Sequence, residues 1–496
     1  MTHGDEAHYD VIVVGAGNAA LCAAIAAAQA GARTLVLERA PAAERGGNSA
    51  YTAGAMRTRY DGLDDVRRLV PDISEDAVAT SDFGRYEAEH FDADLVRLTG
   101  GRSEPGLRRR LVDDSLPTLL WLRSNGVAFE PLYHRQSYLV DGVRRFWGGL
   151  TFGTCGGGTG LVDRLANSAA AHGVETWYEA RATGLVAPSA HVEGVRVDRD
   201  GTHRTLRAGA VVLACGGFEA STEMRTRYLG PGWDVAKVRG SRFNTGDGIR
   251  MALDVGAMSW GQYSGAHAVF WDRDAAPYGD LGVNNENSRL SYPLGIMLNT
   301  RGERFIDEGA DLRNYTYARY GRELLTQPGQ HAWQLFDATV EPLLQRDYRI
   351  PTATRVTAPT LEELVAAMDG VDARAALDTI RRYNDSVDTT TPFDPTRKDG
   401  RSTHGLTPAK SNWANRIAAP PFVAYAVTVG ITFTFGGLRI DPRTARVVRD
   451  DGSTFDNLFA AGELVGGLFY DNYPGGSGLT AGAVFGRLAG ANAATV

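Results

Sequence analysis

The sequence predicts an α/β fold in two parts: a parallel sheet wound around strand–glycine turn–helix units, and a second, α+β domain inserted into it. Three observations carry this. An apolar strand near the start runs into a glycine turn and an alanine-rich helix. Turns of the same kind recur up to about residue 257. They then nearly vanish and return only after about residue 430.

Val11 to Val14 is wholly apolar, as expected of a strand buried on both faces. Gly15, Ala16 and Gly17 follow at once, then Asn18, Ala19 and a third small residue, Ala20. Leu21 to Ala30 continues as a helix that stops at Gly31, and Arg33 to Glu38 reads as the next strand, ending in an acid. Each residue type has a task. Gly15 permits the turn, and Gly17 lets the backbone approach a pyrophosphate at the helix N-terminus. Ala20 lets helix and strand pack closely, and Glu38 accepts from a ribose hydroxyl. A Rossmann-like dinucleotide site is therefore expected here, with Arg39 beside the acid.

Gly46, Gly47, Asn48 and Ser49, with Ala53 and Gly54 after them, offer backbone donors and short side chains to a second part of the same ligand. Residues 60 to 145 read as helical and charged, including a helix from Ser115 to Gly126. A helix over 161–173 and a set of short antiparallel strands over 175–207 follow. An apolar strand then ends in Ala214-Cys-Gly216-Gly217, a second backbone approach to the ligand, and Asn244 to Ala257 is a glycine turn into a helix that carries Asp247.

After residue 258 Trp, Tyr, Asn and Arg become frequent. This segment, with helices at 361–367 and 373–383 and a polar return linker at 394–410, is read as the inserted domain. The boundaries expected are 1–257 and 431–496 for the nucleotide domain and 258–430 for the insertion. The C-terminal part supplies a strand ending on Glu463 and a glycine loop, Tyr473 to Leu479 with Ser477 and Gly478. That loop runs into a last helix aimed at the same ligand.

Composition excludes several classes. With 43% hydrophobic and 22% charged residues, the chain reads as a globular protein. A net charge of -7 with no basic block argues against nucleic acid. The first eight residues are polar and no apolar run is long enough to span a bilayer, so neither a signal peptide nor membrane insertion is expected. Cys22, Cys155 and Cys215 are far apart, with no C-x-x-C and no haem or iron–sulfur spacing. Cys22, on the first helix, and Cys215, at the end of an apolar strand, read as buried inert thiols, and the setting as reducing and cytoplasmic. No metal site and no second redox centre is expected.

Taken together, Gly15-x-Gly17-x-x-Ala20 with Glu38, Gly46-Gly-Asn-Ser49, Ala214-Cys-Gly-Gly217, Thr245-Gly-Asp-Gly248, Gly302-Glu-Arg-Phe305 with Glu308, and Ala460-Ala-Gly-Glu463 resemble the fumarate reductase and succinate dehydrogenase flavoproteins over nearly the whole length. Gly46 to Gly54, Glu308 to Tyr317 and Phe433 to Gly437 look most like the tricarballylate dehydrogenase group. The resemblance implies a Rossmann-like FAD-binding domain of the glutathione reductase type with an inserted α+β capping domain. It implies an FAD-dependent dehydrogenase or reductase acting on a CH–CH or C=C bond next to a carboxylate or carbonyl.

Members with covalent FAD carry a histidine shortly after the glycine pair. Residues 48–58 here contain none, so FAD is expected to be non-covalent. The resemblance places the proton donor at Arg313, an upstream relay at Glu286 and Arg289, and a carboxylate-holding histidine at His267. Tyr315 and Tyr317 are conventional alternatives for the proton, since a guanidinium hardly deprotonates. Two departures stand out: Thr432 and Tyr473 occupy positions where fumarate reductases hold carboxylate with His and Arg. The Tyr473-Pro-Gly loop also looks like that of 3-ketosteroid dehydrogenases, which keeps ketosteroid-, enone- and fumarate-type chemistry open beside the main reading. A nicotinamide-dependent disulfide reductase lacks its second fingerprint and cysteine pair, and a non-catalytic flavin-binding protein would not need the Arg, His and Glu of the insertion. The expected partners are a small carboxylate or enone substrate and a separate electron carrier: an iron–sulfur protein, a quinone or oxygen.

Overall fold

The strand His8–Val14 is the centre of the first sheet because its apolar residues can be covered on both faces; Val11, Ile12 and Val13 are fully buried. In this computed structural model, which describes residues 8–496, it pairs in parallel with Thr34–Leu37 on one side and Thr202–Leu213 on the other. Residues 1–7, on which part of the signal-peptide reading rests, lie outside the described residues. The sheet runs in the order Arg446–Val448, Thr454–Ala460, Thr202–Leu213, His8–Val14, Thr34–Leu37, Glu175–Trp177. Ala180–Val186 and Gly194–Arg199 add the expected antiparallel strands, pairing through Gly194–Arg199 onto Thr202–Leu213. The chain's last strands thus lie in the same sheet as its first.

Small residues set how the covering helices pack. The helix Asn18–Gln29 lies against the C-terminal helix Ser477–Ala493 with backbones nearly touching. A Cβ at Gly486 would sit 2.3 Å from the Ala19 carbonyl oxygen, and one at Gly490 would sit 2.0 Å from that of Ala23. This packing holds the N-termini of both helices at one place.

The insertion is a second sheet. Lys237–Val238, Phe422–Leu438, His331–Phe336 and Ile296–Asn299 lie in that order, and Ser259–Asp272 and Arg355–Ala358 also pair with Phe422–Leu438. Helices Leu361–Ala367 and Ala373–Ser386 cover it around Leu364, Ala376 and Ile380. Residue 430 falls inside the 17-residue strand Phe422–Leu438. The expected boundary there is not an element boundary, because one continuous apolar strand leaves the second sheet and reaches the first domain, where Leu438 bridges Val465. The insertion also recruits 237–238, ahead of the expected start at 258.

Two local expectations need correction. The helix placed at Ser115 begins ten residues earlier, as Pro105–Ser124. Glu104 is its N-cap, accepting from the Leu107 N–H at 2.6 Å, and proline stands in the first turn. Ser115 mimics a cap in sequence, but its hydroxyl donates to the Val112 carbonyl within the helix. Beyond this helix, residues up to 146 are mainly short strands rather than helix. Among the described residues no helix is long and apolar enough to cross a membrane.

Candidate active site

One large cavity lies where the glycine turns of the first domain meet the second sheet. Its first group of lining residues is the predicted cradle. Gly15 has φ +107°, and a Cβ there would lie 2.6 Å from the Ala214 carbonyl oxygen, so the fold itself demands glycine. Gly17 is different. Its backbone is ordinary (φ -76°), and a Cβ would meet nothing closer than 3.4 Å. Gly478, in the first turn of the last helix, would likewise admit a Cβ without a clash, in van der Waals contact with Phe433 and Tyr473 at 3.8 Å. Neither glycine is required by packing; both leave backbone bare toward the cavity at a helix N-terminus, as an anionic, closely approaching ligand needs.

Side chains lock this cradle. Glu38 is buried and accepts from the Ala16 N–H at 2.9 Å and the Ala40 N–H at 2.7 Å. Burial raises its pKa and these bonds oppose the rise. Ser49 Oγ accepts from the Asn18 N–H at 3.1 Å, and Asn18 Nδ2 donates to the Leu479 carbonyl at 2.7 Å, joining the first turn to the last. Arg39 pairs with Asp247 at 3.1 Å and donates to Thr245 Oγ1 at 2.6 Å. Burial raises the Asp247 pKa, but Arg181, Arg39 and Arg250 together hold it below the usual range.

Gly46, Gly47, Asn48, Ser49, Ala53, Ala214, Gly216, Glu463 and Leu479 line the cavity with them, as does Ala19. Four residues expected in the cradle do not. Ala20 is buried between helix and sheet. Gly54 backs onto Thr154 and Gly157, and Gly217 is walled off by Glu463 and Thr434. Ser477 turns its hydroxyl back to the Pro474 carbonyl. They shape the turns without facing the space.

Behind Gly217 lies a carboxyl pair that sequence did not reveal. Glu219 is buried and accepts from Asn48 Nδ2 and Asn244 Nδ2, both at 2.6 Å. Glu463 accepts from the Thr434 N–H at 2.8 Å. Burial and then the neighbouring Glu463 push the Glu219 pKa well up; burial also raises Glu463. A carboxyl with a raised native pKa holds a proton that the unfolded chain has released. Its stability contribution is therefore complete below about pH 4.3 and is lost as pH rises through the native value. Folding stability should fall with pH above the ordinary carboxylate range, with a limiting slope of about 1.4 kcal/mol per pH unit for one proton. Denaturation at several pH values should find Glu219→Gln flatter than the parent; an equal slope would remove the pair as its source.

The second group of lining residues is Arg135 and Gln136 from the short helix Tyr133–Gln136, with Arg239, Asn285, Leu290, Arg313, Asn314, Tyr317, Phe433, Phe469 and Tyr473 from the second sheet, its loops and the C-terminal segment. The hydroxyls of Tyr317 and Tyr473 are hydrogen-bonded to each other. Burial raises both, and the charge of Arg239 pulls both down. Arg313 donates to the Arg135 carbonyl at 2.7 Å and lies over the Trp147 ring at 5.1 Å, with no carboxylate partner among the described residues. The loop that delivers Arg313 is fixed by the buried Arg304–Glu308 ion pair, which gives the Gly302–Phe305 motif a structural role.

The remaining expected residues do not reach the cavity. Arg289 is fully buried, paired with Asp272 at 2.7 Å and donating to the carbonyls of Glu286, Ser288 and Asp347. Glu286 offers it a backbone oxygen, not a carboxylate, so no Glu286–Arg289 relay forms at the cavity. His267 has zero exposure; it stacks on Phe433 and meets Tyr317 and Tyr473 edge-on, with neither ring nitrogen hydrogen-bonded. Burial, then Arg239, holds it neutral, well below its usual pKa. It backs the tyrosines rather than gripping a carboxylate. Tyr315 donates to Asp94 at 2.7 Å, away from the cavity.

Comparison with known proteins agrees with this geometry. The FAD binding domain family matches residues 10–479, and the chain belongs to it. The chain is 30% identical over 495 residues to the probable fumarate reductase Ifc3 of Shewanella frigidimarina, covering 98% of this chain and 74% of that one. It is 27% identical to the 3-oxosteroid 1-dehydrogenase of Mycolicibacterium smegmatis, covering 97% and 96%. The open conformation of a flavocytochrome c3 fumarate reductase superposes with a TM-score of 0.73 at 28% identity, over 99% of this chain and 79% of that one. The protein is thus an FAD-dependent oxidoreductase of the fumarate reductase and 3-ketosteroid dehydrogenase type, with an FAD-binding and a capping domain.

Proposed function

We propose that the protein introduces or removes a C–C double bond next to a carboxylate, on a small polycarboxylate of the tricarballylate kind. The observation that carries this is Arg313, a buried cation without an acid partner among the described residues, lining the same cavity as the Tyr317–Tyr473 hydroxyl pair.

FAD would be cradled by the turn at Gly15–Asn18, by Ser49 and by the start of the last helix, and would supply hydride transfer to or from the substrate. Arg313 holds the carboxylate and stabilises the enolate-like charge that develops on it. Tyr473 moves the α proton, with Tyr317 sharing it across their hydrogen bond. A phenol is a more workable acid than a guanidinium; burial and then Tyr317 hold the proton on Tyr473 well above the usual phenol range, and the charge of Arg239 opposes that rise. Phe433 and Phe469 keep water from the reacting carbons. In D2O, reduction of an unsaturated carboxylate should place one solvent deuterium on the α carbon, seen by NMR; a product with none there would refute the hydroxyl route.

A neutral enone is the second reading, favoured by the same tyrosine pair within the aromatic wall of Phe433 and Phe469. Electrons pass to or from a separate carrier: an iron–sulfur protein, a quinone or oxygen.

FAD is held non-covalently. What supports this is that, among the described residues, no histidine lines the cavity. Acid precipitation should leave the yellow colour in the supernatant, and colour retained in the pellet would refute it.

A further inference from the structure

We propose that Arg239 binds a second anionic group of the substrate, a carboxylate, and so selects polycarboxylates; this rests on the carboxylate reading above. The Lys237–Val238 strand pairs with Gly430–Ile431, and the Arg239 N–H donates to the Ile431 carbonyl at 2.8 Å, which brings the side chain to the cavity wall. There, among the described residues, the guanidinium hydrogen-bonds only neutral partners. Nε donates to Asn285 Oδ1 at 2.8 Å, Nη2 donates to the same oxygen, and Nη1 donates to Thr432 Oγ1 at 3.1 Å. A guanidinium has five N–H donors, so one on each Nη is left undirected. Asp347 acts on it only as a remote charge, weaker than either tyrosine.

A buried cation with neutral neighbours is costly. Arg289 and Arg304, buried as deeply, have Asp272 and Glu308. Arg225 bonds the carbonyls of Asp234 and Ala236 and does not face the cavity. Arg239 alone of these four lines the cavity, together with Arg313 and the tyrosine pair. A carboxylate entering there would take the two undirected donors and supply the missing charge. Asn285 and Thr432 hold the fork in place for it.

The test uses FAD-loaded enzyme and two probes: citrate, which lacks the hydrogen that oxidation would remove, and its neutral triamide. Binding is read by calorimetry, beside KM and kcat for tricarballylate. Losing a charged hydrogen bond predicts that Arg239→Gln weakens citrate by about 10- to 100-fold, while the triamide is unaffected. Citrate bound by Arg239→Gln as tightly as by the parent, with tricarballylate still turned over, overturns the Arg239 assignment and leaves the proposed reaction standing. A parent that turns over an enone and neither binds nor oxidises any carboxylate overturns both. Should Arg239→Gln fail to load FAD, Arg239→Lys decides. It keeps the charge but not the fork, and a loss confined to citrate is expected. No loss, or an equal loss for citrate and triamide, overturns the assignment.

Discussion

Tyr473→Phe is expected to keep its FAD and its substrate affinity while losing turnover by about 100- to 10,000-fold, the range of a general acid–base group. The hydroxyl is the only atom removed. Its one side-chain partner is the Tyr317 hydroxyl, and the ring stays packed against Phe433, Phe469 and His267. A purely structural role would therefore leave turnover nearly unchanged. Tyr317→Phe should be milder, because Tyr473 would still face the substrate. Arg313→Lys should behave differently again: a carboxylate clamp shows a raised KM with kcat little changed. If Arg313→Lys instead loses turnover by orders of magnitude at constant KM while both tyrosine variants keep it, the arginine moves the proton and the tyrosine assignment is wrong.

The second large effect concerns the cradle. Gly17→Val should fold and yet bind FAD at least about tenfold more weakly, a loss of about 1.4 kcal/mol or more. The backbone at Gly17 is available to any residue, and a Cβ there would touch Gly46 O at 3.4 Å and Ser49 Oγ at 3.5 Å without a clash, so the strongest obstruction falls on what enters the cavity. Gly15→Val should fail for another reason. At φ +107°, with Ala214 backbone 2.6 Å from the new Cβ, it strains the turn itself and destabilises the protein with or without FAD. Melting temperatures with and without added FAD separate the two. FAD bound to Gly17→Val as to the parent would mean that the ligand lies elsewhere.

What could be read in the sequence was local. The strand–turn–helix unit, the acid at Glu38 and the two insertion helices depend on residues close in the chain, and the structure places them there. What could not be read depends on distant pairing. Nothing in Val238-Arg239-Gly240 marks a buried cation; it becomes one because 237–238 joins a strand nearly two hundred residues away. Glu286 and Arg289 have a relay's spacing, but Asp272 takes the guanidinium. His267 could not be told from a ligand-holding histidine until Phe433, Tyr317 and Tyr473 were seen to enclose it. Thr432, read as a lost carboxylate grip, instead supports Arg239.

The central claim is settled most directly by the flavin itself. Oxidised enzyme is mixed without oxygen with tricarballylate and other saturated polycarboxylates, and reduced enzyme with their unsaturated counterparts, while the flavin absorbance is followed. The account predicts bleaching in the first case or recovery in the second, with polycarboxylates faster than monocarboxylates or neutral enones. A flavin that ignores every carboxylate and responds to an enone or a 3-ketosteroid would contradict it.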